Sequence, residues 1–303
     1  MQIPEFIKKL EKEINQTKVE YEKVEQLLRL KAILQIYEGE DKIISFQEIL
    51  ERIKNQPEQL KIMSDIQGLD KIIGGFRLKQ LVVVSALTKS GKTTWLMDLT
   101  SKWKEYNPIW FPFEQGAEEL IEICLENNNE PPHSYTPAFM KDCSIKWIEE
   151  RIVESIAKFG TKIVFIDQLD FIVPFNGDNH SLRVGQAMRE LKTIAKKWDV
   201  LIFLICHLVK TKMSEQPTLE DLKGSSSIGQ EADTVILLWR EMRKEKGQVI
   251  LTDNVNVSVQ ANRRTGKTGN VKMVYNNGKF LEKEWKSERE DDAEAEKEYQ
   301  ETI

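Results

Sequence analysis

The run Leu81-Val-Val-Val-Ser85 passes without a break into Ala86-Leu-Thr-Lys-Ser90-Gly91-Lys92-Thr93-Thr94, and an amphipathic stretch follows to Lys104. An apolar strand, a short loop closing on Gly-Lys-Thr and then a helix is a P-loop in its expected setting. Each part has a physical task. Gly91 lets the backbone approach phosphate oxygens closely. The N–H groups of the loop, from Ala86 through Ser90 to Thr94 at the head of the helix, face the anion. Lys92 reaches the terminal phosphates of ATP, and Thr93 offers its hydroxyl to Mg2+. Ala86 stands where the usual pattern has its first glycine.

What surrounds this element is of the same texture. From about residue 62, apolar strand segments alternate with amphipathic helices. Strands are expected at Leu81–Ser85, Ile109–Phe113, Lys162–Ile166, Leu201–Cys206, Thr234–Trp239 and Val255–Gln260. Helices are expected at Thr93–Lys104, Ala117–Glu126, Ile145–Phe159 and Leu182–Lys197. Such alternation predicts an α/β domain with a mainly parallel sheet flanked by helices. Lys162-Ile-Val-Phe-Ile-Asp167 is an apolar strand ending in a carboxylate, the form of a Walker B segment, and an Asp there can hold Mg2+ beside the P-loop. Ile109-Trp-Phe-Pro-Phe113 ends in Glu114, which in a parallel sheet lies on the same rim, so Glu114 is the candidate base for orienting and deprotonating water.

Outside the α/β region, residues 1–60 read as a small helical segment. Ile7, Leu10, Ile14, Thr17, Tyr21, Val24 and Leu28 fall at alternating spacings of three and four, which predicts one helix over 1–40, packed on its own domain or paired with another subunit. Gly39-Glu40-Asp41 breaks it. Ser45 and Glu48 then form a capping box for a short helix, Phe46–Lys54, and Pro57 marks a linker. The motor region is expected over 61–282, with an acidic tail at 283–303. The 303-residue chain has net charge −5. Residues 282–303 carry −6 of it, leaving a near-neutral body of +1. No apolar run approaches the ~20 residues of a membrane span. Cys124, Cys143 and Cys206 lie far apart without a C-x-x-C pair, which excludes a disulfide scaffold and fits a cytoplasmic protein.

The order P-loop, strand-end Glu, Walker B Asp, then Leu201-Ile-Phe-Leu-Ile-Cys-His207 resembles the RecA-type motor of the DnaB-like (superfamily 4) replicative helicases, which include phage helicase–primases and the mitochondrial helicase Twinkle. The resemblance spans roughly 62–282. It opens at Gly68-Leu-Asp70-Lys-Ile-Ile-Gly74-Gly75-Phe76 and is most specific over Pro217–Asp233. Many family members also carry Ala at the position of Ala86. The resemblance implies a RecA-like P-loop NTPase core in which Glu114 is the catalytic glutamate and His207 senses the γ-phosphate. Gln230 matches a glutamine of the same motif. Ala261-Asn262-Arg263-Arg264-Thr-Gly266 looks like the arginine-finger segment that acts on nucleotide bound by the neighbouring subunit. The register favours Arg263 as the finger and leaves Arg264 open; the family usually has Lys where this chain has Ala261. Arg240 and Tyr275 match positions that contact or stack on the base.

The family's two DNA-facing loops would correspond here to Pro174–Gln186, carrying Arg183, and Leu208–Ser227, carrying Lys210, Lys212, Lys223 and Gly224. Such contacts go to phosphate and give no sequence choice. The implied function is an ATP-dependent, ring-forming, hexameric helicase moving 5′→3′ on single-stranded DNA during replication. The partners it implies are a primase, a loader or a polymerase, and no membrane. The alternative is a RecA/KaiC-like ATPase switch that binds DNA or protein without unwinding, as a recombination mediator or loader does.

Overall fold

The computed structural model describes residues 3–16, 21–36, 43–55, 59–87, 90–127, 129–173, 180–208, 216–222, 225–245 and 248–283. The chain forms two compact units, 1–59 and 60–303. The first consists of helices α1 (Ile3–Gln16), α2 (Tyr21–Ile36) and α3 (Phe46–Asn55). The heptad spacing predicted one helix across this region, and the structure corrects that. Lys31 of α2 pairs with Glu11 of α1 at 2.8 Å, although in a continuous helix residues twenty apart are about 30 Å apart. Leu10 is buried, whereas Leu28, expected on the same seam, is half exposed. The apolar positions thus serve two short helices lying side by side, whose phases happen to join. α3 starts as expected, with Glu48 N–H donating to Ser45 Oγ at 3.1 Å. The expected break at Gly39–Asp41 and the linker at Pro57 lie outside the described residues, as do residues 284–303 of the acidic tail.

The second unit runs, in order, through β1 (Lys61–Ile62), α4 (Gln67–Ile73), β2 (Phe76–Arg77), β3 (Leu81–Ala86), α5 (Lys92–Lys102), β4 (Ile109–Pro112), α6 (Ala117–Glu126) and α7 (Ile145–Phe159). It continues with β5 (Ile163–Asp167), α8 (Leu169–Ile172), α9 (His180–Lys197), β6 (Leu201–His207), α10 (Ser225–Glu231), β7 (Thr234–Glu245), β8 (Gln248–Asn262), β9 (Gly269–Asn276) and β10 (Lys279–Glu282). Eight strands form one sheet in the order β10-β9-β8-β7-β3-β6-β5-β4. β7, β3, β6, β5 and β4 are parallel to one another. From β7 to β10 the sheet is extended by antiparallel pairs.

The central strands read as unbroken apolar runs because both faces are covered. Successive side chains point to opposite faces. Val82 and Val84 of β3, Ile163 and Phe165 of β5, and Leu201, Phe203 and Ile205 of β6 therefore join one core with Trp95, Leu96 and Leu99 of α5. Their alternates Leu81, Val83, Val164, Ile166, Ile202 and Leu204 join the other core, with Met188 and Leu191 of α9 and Ile152 of α7. Trp103 sits at the end of α5 between Phe76 and Phe203 and donates its indole N–H to Met63 O at 2.6 Å.

Registry then decides what meets at the sheet's edge. Ala86 is paired with His207, and Pro112 with Asp167. Strands running the same way end on the same rim, so the P-loop, Glu114, Asp167 and His207 arrive there together. α4 ends in Gly74 at φ 70°, a left-handed conformation that glycine adopts without steric penalty. Arg264 caps that end, donating to Ile73 O and Gly74 O at 2.7 and 2.9 Å.

Candidate nucleotide site

The site is built outward from the end of β3. Gly91 lies at φ 87° at the N-cap of α5, and a Cβ there would come within 3.4 Å of the Phe280 ring. Thr88 and Lys89 of the loop lie outside the described residues. Ser90, Gly91, Lys92, Thr93 and Thr94 line a cavity of about 580 Å3, together with Glu114, His207, Arg240 and Tyr275. Ala86 does not. It is fully buried in β3, so its part is to keep the strand end close against β6 and β7.

Four of the expected groups form a chain of contacts. Thr93 Oγ1 donates to Asp167 Oδ2 at 2.9 Å. Lys92 Nζ lies 3.4 Å from His207 Nδ1. With the ammonium donating, Nδ1 is the acceptor and the ring proton sits on Nε2, the nitrogen 3.9 Å from Glu114 Oε1. Glu114 is tied to the same rim by its backbone, its N–H donating to Asp167 O at 3.1 Å.

Electrostatics follow from burial. Asp167 is 1% exposed, and loss of water raises its carboxyl to about 6, with the Glu114 charge adding to the rise and the Thr93 hydroxyl and Lys92 opposing it. Burial lowers the Lys92 ammonium, against the pull of Asp167 and Glu114. The thiol of Cys206, behind the rim, is pushed up by burial and is inert. Asp167 Oδ1 is buried without a hydrogen-bond partner. An orphaned carboxylate oxygen beside a threonine hydroxyl gives two hard oxygen donors, the pairing suited to Mg2+, which takes one or two protein oxygens and leaves the rest to water and phosphate. Among the described residues no cluster of three or more His, Cys, Asp or Glu could hold a metal by itself.

Arg240 and Tyr275 come together, the guanidinium carbon 4.9 Å from the ring centroid. Arg240 is held there by Thr252 O at 2.6 Å and Asp253 Oδ1 at 3.0 Å. Gln230 is not brought in. It is exposed on α10 and does not line the cavity. Arg263 and Arg264 lie on the turn after β8, away from the cavity, and they differ. Arg264 is engaged in capping α4, while the side chain of Arg263 is exposed and only its backbone N–H is bound, to Asp233 O. Arg183 is half-buried in the first turn of α9 and does not line the cavity. Lys210, Lys212, Lys223 and Gly224 lie outside the described residues.

Other residues lining the cavity carried no recognisable motif: Asp98, Asn127, Asn129, Glu130 and Phe280. Only Asp98 left a signal, as part of a polar stripe with Thr94 and Ser101 along α5. The asparagine run after α6 reads as an ordinary loop.

Residues 136–281 match the family model of the DnaB-like helicase C terminal domain. The chain is 26% identical over 273 residues to the replicative DNA helicase DnaC of Bacillus subtilis, covering 78% of this chain and 59% of that protein. It is 25% identical over 254 residues to the replicative DNA helicase DnaB of Treponema pallidum, covering 74% and 56%. It thus spans less than two thirds of these relatives' length. Among solved structures, an ATPase domain determined on its own superposes with a TM-score of 0.66 at 20% identity, over 80% of this chain and all of that one. A DnaB-like replicative helicase studied with primase gives 0.63 at 18% identity, over 92% and 76%. Both likenesses establish the fold, a RecA-like ATPase sheet with its flanking helices.

Proposed function

We propose that this chain, which carries a DnaB-like helicase C-terminal domain over residues 136–281, is the motor of an ATP-driven hexameric ring helicase that travels 5′→3′ on single-stranded DNA in replication. The observation that carries the reading is the contact chain Asp167–Thr93 and Lys92–His207–Glu114 at one rim. It brings a phosphate-binding cation, a metal-ligand pair, a polar sensor and a carboxylate base within reach of one bound phosphate. When bound, Mg2+ neutralises charge on the β- and γ-phosphates. Thr93 and Asp167 would hold it, and the loop N–H groups with Lys92 would hold the phosphates. Glu114, 38% exposed, can orient a water and accept its proton. His207, donating from Nε2, ties the base to the phosphate end of the site and can report whether the γ-phosphate is present.

A cation positioned on the developing negative charge is the part this rim lacks. Arg263, projecting from the turn after β8 with no side-chain partner among the described residues, supports a role on the nucleotide of the adjacent subunit. The first unit is read as a subunit contact. Phe46, Leu50 and Ile53 of α3 are exposed and fall on one face at helical spacing, a stripe that burial against another surface would stabilise. The lysines around 208–224, multiplied around a ring, would give salt-sensitive DNA binding.

The test is steady-state ATP hydrolysis by the wild type and Arg263→Ala, with and without single-stranded DNA, across protein concentration. Turnover that rises with DNA, depends cooperatively on concentration and collapses in the variant is expected. Slow turnover, indifferent to DNA and unchanged by the substitution, would instead fit the switch-like ATPase.

A further inference from the structure

The phosphate end of the cavity accounts for hydrolysis, and the opposite end is where a choice among nucleotides must be made. Ser101, which lines the cavity, lies nine residues beyond Lys92 on α5, or about 13 Å along the helix axis. The cavity therefore reaches well past the phosphates. Its far wall is made by the chain after α6 and by the β9–β10 turn, joined by Asn129 Nδ2 donating to Asn277 O at 2.7 Å and Tyr275 Oη donating to Asn127 Oδ1 at 3.1 Å.

The hydrogen-bonding capacity left on this wall is mostly of one kind. Asn127 is spent, since its Nδ2 donates to Ile123 O at 2.7 Å and its Oδ1 accepts from Tyr275. Asn129 Nδ2 is committed to two carbonyls, Asn127 O and Asn277 O. That fixes which way its amide faces and leaves Oδ1 as the open group, an acceptor. Glu130 beside it is an exposed carboxylate that also lines the cavity, again acceptor only. The donors nearby are occupied or outward. Tyr275 has given its proton, and Arg240 Nε and Nη2 are bound to Thr252 and Asp253. Lys279 is exposed, within electrostatic reach of the buried Asp98 carboxylate.

Resting on the nucleotide-hydrolase reading above, we propose that Asn129 Oδ1 and Glu130 make this end select nucleotides whose base carries an exocyclic amino group. ATP, CTP and GTP have that donor. UTP and TTP present a carbonyl oxygen in place of the amine of CTP, and an acceptor facing acceptors leaves both sides unpaired. Met97, Leu120 and Phe280 give the base an apolar surface to lie on, which every base can use equally.

The experiment is equilibrium competition, with Mg2+ and the full chain, against an ATP labelled on its ribose. ATP, GTP, CTP, UTP, TTP and tripolyphosphate are the competitors, and Glu130→Gln is the variant. Glu130 is exposed, so the substitution leaves the fold intact, and the glutamine amide adds a donor. The expected result is at least about tenfold tighter binding of ATP and CTP than of UTP and TTP in the wild type, the value of one good hydrogen bond left unmade. In Glu130→Gln the gap narrows through tighter UTP and TTP binding. Equal affinity for ATP and UTP in the wild type overturns this proposal alone, as does a Glu130→Gln effect equal for every base. If no nucleotide binds, the hydrolase reading falls, and this one with it.

Discussion

At the scale of single side chains, Asp167 holds a carboxylate out of water beside Glu114, and its proton is held to about pH 6. The unfolded chain releases that proton near the usual carboxylate value of 3.8. Between the two pH values the folded state binds more protons, so stability falls as pH rises through the window and stays lower above it. The most this can amount to is about 3 kcal/mol. Asp167→Asn should therefore flatten the pH dependence of thermal unfolding between pH 4 and 6 in nucleotide-free protein and raise the midpoint at pH 7, while removing Mg2+-dependent nucleotide hydrolysis. A wild-type midpoint that instead rises across that window would show that Asp167 is not so strained. The paired arginines divide in the same manner. Arg264→Ala strips two caps from α4 and should cost about 1 kcal/mol in urea unfolding. Arg263→Ala, touching nothing in its own subunit, should stay within about 0.5 kcal/mol of wild type while losing DNA-stimulated turnover.

At the scale of elements, the central strands were legible because burial on both faces leaves no room for polar residues. Leu81–Ala86 and Leu201–His207 can be read directly as strands. β9 was not: only Val271 and Met273 are buried there, between polar neighbours, too brief an alternation to stand out. The outer half of the β7–β8 hairpin was missed for another reason. Its cross-strand ties are polar, with Glu241 accepting from Asn254 and Asn256 and Arg240 pairing with Asp253. The site divides along the same line. Lys92, Thr93, Glu114, Asp167 and His207 sit in or at the ends of runs that announce themselves. Asn129 and Phe280 matter only because the fold closes chain segments about 150 residues apart, as where Asn129 meets Asn277. The β9–β10 turn is pinned to α5 by Phe280 N–H donating to Asp98 Oδ2 at 3.3 Å, and Phe280 is 3% exposed. Phe280→Ala should cost roughly 3 kcal/mol in equilibrium unfolding and weaken the binding of every nucleotide alike. Loss confined to one base would contradict its part as a general floor of the cavity.

For the whole molecule, the two units invite separate questions. No helix among the described residues is long and apolar enough to cross a membrane. The exposed stripe of α3 is the surface on which assembly should depend, and it carries no group of the rim. Leu50→Asp with Ile53→Asp is expected to shift the chain toward monomer in sedimentation velocity and to abolish the concentration dependence of turnover, with the thermal midpoint of the second unit unmoved. Assembly that survives the double substitution would place the subunit contact elsewhere.

The pairing of Ala86 with His207 and of Pro112 with Asp167 also bears on how such a chain can change through descent. Adding one residue inside β6 would carry His207 about 3.3 Å along the strand and turn it to the opposite face of the sheet. Lys92 and Glu114 would then be separated from it in one event. The connections beyond the rim face no such restriction, since lengthening a surface loop is thermodynamically inexpensive. Gains and losses of residues among relatives should accordingly collect after the strand ends, around 174–179 and 209–215, and be purged from the strands. Within this architecture, changes of length can alter what the motor grips while the spacing that makes it a motor is held constant.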